Sequence, residues 1–80
     1  MLQLDTVIFN HQGRYFRFKK AAGEYVCDVC YWKGILHEHP EGWTAEVLQK
    51  FDPFDHHQTE KPYKTADEAM RWVADQLIKK

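Results

Sequence analysis

The chain is predicted to fold as an α+β domain, an antiparallel sheet of about four strands with one C-terminal helix packed across one face. Three observations predict this. Most of the first 51 residues form β-rich or alternating stretches punctuated by Gly, Asn and Pro. A single stripe with helical period follows them. The segments between strands are too short for the crossovers that parallel pairing needs. With 80 residues, the chain is read as one domain spanning 1–80. A domain of that size buries only about 60% of its unfolded surface, so it has little stability to spare.

Taken in order, residues 4–9 are rich in β-formers and end at Asn10-His-Gln-Gly13, which supplies turn residues. Arg14-Tyr-Phe-Arg-Phe-Lys-Lys20 alternates rings and charges, which sets Phe16 and Phe18 inward and Tyr15, Arg17 and Lys19 outward. Ala21-Ala-Gly23 permits a tight reversal. Residues 24–33 then read as a central strand, with Tyr25, Cys27, Val29 and Tyr31 on the inner face and Val26, Asp28, Cys30 and Trp32 on the outer. Residues 34–42 read as a strand end and loop because of Pro40-Glu-Gly42.

Residues 43–51 fit both periods, since Trp43, Ala45, Val47 and Phe51 alternate while Trp43, Val47, Leu48 and Phe51 also satisfy helical spacing. The strand reading is preferred. Asp52-Pro53 ends that element, because proline lacks a backbone donor, and residues 55–62 read as polar loop. The helix begins after Thr65, an N-cap with Glu68 three residues on as in a capping box. Ala66, Ala69, Met70, Val73, Ala74 and Leu77 fall on one arc, and the stripe runs to Ile78. The expected core is Phe16, Phe18, Val29, Tyr31, Val47, Phe51, Met70, Val73 and Leu77.

Trp43-Thr-Ala-Glu-Val47 and Tyr63-Lys-Thr-Ala-Asp-Glu-Ala-Met70 resemble the strand and helix start of plant-type AP2 DNA-binding domains. The likeness covers less than a quarter of the chain. The arginine-rich strands of that family are missing and the segment near Lys50 is acidic, so the resemblance implies a strand packed beside the helix and no DNA contacts.

Composition narrows the function classes. An aromatic fraction of 15% and an apolar fraction of 44% supply a core, which argues against disorder. Net charge is −1, so no global field draws the protein to nucleic acid or anionic lipid. Residues 1–34 carry +2 and 35–80 carry −3, a polarity suited to self-pairing or a mixed-charge partner and also common on solvated faces. Met1-Leu-Gln-Leu-Asp5 lacks the basic and apolar regions of a signal peptide, and no apolar run reaches membrane-spanning length. A cytoplasmic location with no membrane partner is the expectation.

An enzyme is not expected. The chain has no serine, its carboxylates sit in loops or on the outer helix face, and its four glycines have no phosphate-cradling spacing. Cys27-Asp-Val-Cys30 with His37 and His39 supplies ligand types suited to zinc, but the β-forming flanks oppose the tight turn a zinc knuckle needs. The same strand setting gives neither thiol the helix dipole of a redox site. His56 and His57 sit in a second polar stretch, where histidines are ordinarily solvated. No metal and no cofactor are therefore expected.

What remains is the uncovered sheet face, read as Tyr15, Arg17, Lys19, Val26, Trp32, Glu46 and Leu48. Rings, aliphatics and both charges together resemble a protein interface. The expected function is a non-catalytic interaction module that binds another protein or itself, as a dimer, with Tyr15, Arg17, Lys19 and Trp32 as binding residues. The alternative is a nucleic-acid binder that uses the basic and aromatic strand 14–20, where rings can stack on bases beside Arg and Lys. A blander account makes Phe16 and Phe18 core and leaves Arg17 and Lys19 to keep the outer face soluble.

Overall fold

In the computed structural model, which describes residues 5–79, two-residue turns join each strand to the next. The strands are β1 (Thr6–His11), β2 (Arg14–Ala21), β3 (Glu24–Val29), β4 (Trp32–His39), β5 (Gly42–Gln49) and β6 (Asp52–Gln58), followed by α1 (Ala66–Ile78). All six lie in one antiparallel sheet, in chain order, with α1 packed on one face. The α+β class and the helix position agree with the sequence reading; the strand number does not, being six instead of about four. Leu4, expected to open the first strand, lies outside the described residues.

The extra strands come from turns that lack the usual residues. Gln12-Gly13 and Ala22-Gly23 have positive φ at both positions, as type I′ hairpins require. Cys30-Tyr31 and Lys50-Phe51 contain no Gly, Asn or Pro, yet each reverses the chain, with Cys30 held at φ 53°. The two turns meet. Tyr31 and Phe51 pack edge to face at 5.8 Å, the Lys50 N–H donates to the Tyr31 carbonyl at 2.7 Å, and Lys50 Nζ lies 2.8 Å from Asp28 Oδ1. Both rings therefore leave the expected core; Tyr31 is 64% exposed and Phe51 76%.

The turn at residues 30–31 also inverts side-chain parity. Val29 pairs with Trp32, so both lie on the helix side, partly buried against the core. The expected outward Trp32 is thus corrected. Residues 34–39, read as a strand end running into loop, are strand throughout as part of β4, and 52–58 form β6 where the preceding element was expected to end at Asp52-Pro53 and give way to loop. Proline 53 is admissible there because β6 is an edge strand, whose outer side needs no donor.

The core is built from Phe16, Phe18, Tyr25, Cys27, Leu36, Trp43, Ala45 and Val47 of the sheet and Ala66, Ala69, Met70, Val73, Ala74 and Leu77 of α1. Every helix residue on the expected arc is buried. Trp43, Ala45 and Val47 alternate inward, which settles 43–49 as strand. Thr65 caps α1 by accepting the Glu68 N–H at 3.3 Å, while its hydroxyl donates to Glu68 Oε1 at 3.1 Å. This is half of a reciprocal box, because the carboxylate takes the hydroxyl proton and not the Thr65 N–H.

Two glycines seat the helix. A Cβ on Gly34 would overlap the Val73 side chain, so β4 meets α1 with nothing between them. A Cβ on Gly42 would strike the Tyr63 carbonyl, and Gly42 sits at φ 139°. Trp43 and Tyr63 exchange backbone hydrogen bonds at 2.7 Å in each direction, which fixes the chain just before the helix to β5. At the far end His11 Nε2 lies 2.7 Å from Asp75 Oδ1 and ties β1 to α1.

Candidate functional site

The face of the sheet away from α1 carries the candidate site, and its main feature is a parting between two strands. β1 and β2 pair from Thr6↔Lys19 to His11↔Arg14, whereas β2 and β3 pair only at Lys19↔Val26, Lys20↔Tyr25 and Ala21↔Glu24. Beyond Lys19 and Val26 the strands separate. The backbone N–H of Arg17, which a continuing ladder would have used, donates to the Cys27 thiol.

The parting leaves a cleft of about 680 Å³ lined chiefly by Tyr15, Arg17, Lys19, Val26, Asp28 and Lys33. Tyr15 is 73% exposed. The structure thus brings together three of the four residues expected from sequence, Tyr15, Arg17 and Lys19, and excludes Trp32. It adds Lys33, which pairs with Asp28 across β3 and β4 and whose outward position depends on the same parity change that turned Trp32 inward. Asp28 is already met by Lys50, so the remaining cleft charge is positive. Arg14 is drawn aside, its guanidinium lying 5.2 Å from the centre of the Phe16 ring.

The other half of the open face carries a chain of carboxylates and imidazoles. His37 Nδ1 lies 2.6 Å from Glu24 Oε2, and both His37 Nε2 and His56 Nε2 lie 3.6 Å from Glu46 Oε2. His39 Nε2 lies 2.8 Å from Thr44 Oγ1. These partly exposed pairs link β3 to β6, each contributing roughly 0.2–1 kcal/mol. Among the described residues no group of three or more His, Cys, Asp and Glu has the geometry to hold a metal ion. The cysteine and histidine set considered from sequence does not assemble. Cys27 is buried on the helix side, Cys30 is exposed in its turn, and His37 pairs with Thr44 on the open face.

Burial pushes the Cys27 thiol up from 9.0 to about 11, the Asp28 charge adds to the rise, and the Arg17 N–H opposes it. The thiol is protonated at neutral pH and is no nucleophile. Among the described residues no helix is long and apolar enough to cross a membrane. Comparison with known proteins returns nothing: no family model, no curated protein and no solved structure matches this chain.

Proposed function

We propose that this protein is a non-catalytic interaction module that binds another protein through the open face of its sheet, with the β2–β3 cleft receiving an acidic segment of the partner. The observation that carries this reading is the lining of the cleft. Arg17, Lys19 and Lys33 line it together with an exposed tyrosine, and among the described residues that line it the one carboxylate, Asp28, is paired with Lys50. Half-buried Val26 within the cleft and Ile35 and Leu48 beyond it offer the apolar area a protein partner buries. Tyrosine beside arginine is a frequent anchor of such interfaces, since a rigid ring gives area at small entropic cost.

A peptide-display selection against the folded protein tests this. Enriched sequences should be acidic with at least one large apolar residue, and Arg17→Ala and Lys19→Ala should each abolish capture. Capture that survives both substitutions, or resonance shifts confined to α1, would overturn the proposal. The second reading, nucleic-acid binding by strand 14–20, rests on the same exposed Tyr15 flanked by cations. A short single-stranded oligonucleotide that shifts Tyr15 and Arg17 resonances, with affinity falling steeply in salt, would put that reading in its place.

A further inference from the structure

The sheet is an open meander with two edges, β1 and β6, and they are built differently. β6 is defended. Pro53 has no N–H to offer, the Phe54 N–H is already donated to Asp52 Oδ1 at 3.1 Å, and the ladder to β5 is broken by a register shift at Leu48/Gln49. Such devices stop a sheet edge from recruiting further strands. β1 has none of them. Thr6-Val-Ile-Phe-Asn-His11 contains no Pro, Lys, Arg, Asp or Glu, and it pairs with β2 residue for residue without a bulge.

The direction of its backbone groups follows from one hydrogen bond. The Lys20 N–H donates to the Asp5 carbonyl at 2.7 Å, so in this unbroken register the hydrogen-bonded pairs facing β2 are Asp5/Lys20, Val7/Phe18, Phe9/Phe16 and His11/Arg14. The N–H and C=O groups of Thr6, Ile8 and Asn10 must then point away from the sheet. Among the described residues nothing pairs with them.

We infer that this edge is the seat of a second copy of the chain, added antiparallel about a two-fold axis at Ile8. The edge suits that occupant, because a two-fold there sets the exposed Ile8 against its own copy while the backbone groups match. With Ile8 opposite its own counterpart, Thr6 falls opposite Asn10, and every outward donor of one copy meets an outward acceptor of the other. A slip of one residue sets outward groups against inward ones and loses the ladder; a slip of two leaves Thr6 or Asn10 without a partner. The same register places Val7 opposite Phe9 on the helix side, both already partly buried against the core. Ile8, 54% exposed in one copy, meets Ile8 on the open face. The dimer is one continuous sheet in which each β2–β3 cleft lies close to the seam, so it presents two copies of the proposed binding site side by side.

Sedimentation of the full chain between about 10 μM and about 1 mM, the range in which small interfaces dissociate, tests the seam. The wild type should pass from monomer to dimer, with the Thr6, Ile8 and Asn10 amides gaining exchange protection as concentration rises. Ile8→Lys sets like charges face to face at the axis and should shift the midpoint at least about tenfold. Ile8→Pro removes an outward donor and no β1–β2 bond, and should leave a monomer with an unchanged circular dichroism spectrum. A wild type that stays monomeric at the highest concentration, a dimer that persists in Ile8→Lys, or protection of those amides that does not depend on concentration overturns the inference. None of these readouts involves the cleft, so the partner-binding proposal stands or falls separately.

Discussion

The two faces of this sheet are made by alternate residues of the same strands, yet they obey different rules. On the helix side Phe16, Phe18, Tyr25, Cys27, Leu36, Trp43, Ala45 and Val47 are buried, and among the described residues no charged or polar side chain is buried anywhere. On the open side the intervening positions are Arg17, Lys19, Glu24, Asp28, Lys33, His37 and Glu46, with Val26, Ile35 and Leu48 between them. Water accounts for the difference. An ion moved into the helix side loses several kcal/mol of hydration with no partner to offset it, whereas on the open side it keeps most of its solvent. The lesson is that stability is concentrated on one face, which leaves the other free to vary in chemistry.

That division can be broken by substitution. Phe18→Ala empties a fully buried site and should cost about 3–5 kcal/mol, read as a fall in the urea midpoint at constant slope. For a domain this small, such a loss approaches the whole folding free energy.

The second test uses pH. The folded state keeps the Cys27 proton up to about 11, while the unfolded chain releases it near 9.0. Between those values the unfolded state binds fewer protons, so stability is fully present below pH 9.0 and falls as pH rises toward 11, by at most about 3 kcal/mol. Urea melts of wild type and Cys27→Ala across this window should converge as pH rises, because the variant has lost the group responsible. Parallel curves would mean that Cys27 contributes nothing to the alkaline loss.

Gly34→Ala is the third test. Its methyl group would collide with Val73, so α1 must shift or β4 must bend, at about 1–3 kcal/mol. The matched substitution Val73→Ala should partly rescue it in a double-mutant cycle. The smallest effect belongs to the open face. Arg17→Ala and Lys19→Ala, which should end partner capture, are expected to change stability by less than about 0.5 kcal/mol. A larger loss would show that the cleft residues hold the fold together and would blur the contrast between the faces.

Much of this was legible from residues alone. The helix arc, the Thr65 cap, the inward Phe16 and Phe18 and the outward Tyr15, Arg17 and Lys19 all follow from local periodicity, and the structure places each as expected. The β4 and β6 strands and the orientation of Trp32 were not legible. Cys30-Tyr31 and Lys50-Phe51 carry no turn chemistry, and they reverse the chain against each other through the Tyr31–Phe51 contact and the Lys50 hydrogen bond. The same two-residue turn brought Lys33 to the cleft. The gap between β2 and β3 leaves no trace in composition either, since it arises where pairing stops at Lys19↔Val26.

By itself, then, the sequence determined which residues are apolar, at what period, and where the helix starts, because these depend on neighbours within one or two turns of chain. The tertiary structure decided how many strands those residues make, which face Trp32 joins, and where the sheet opens to form a cleft. Those outcomes depend on contacts between distant segments, and in a strand of period two a single unrecognised turn exchanges inside for outside.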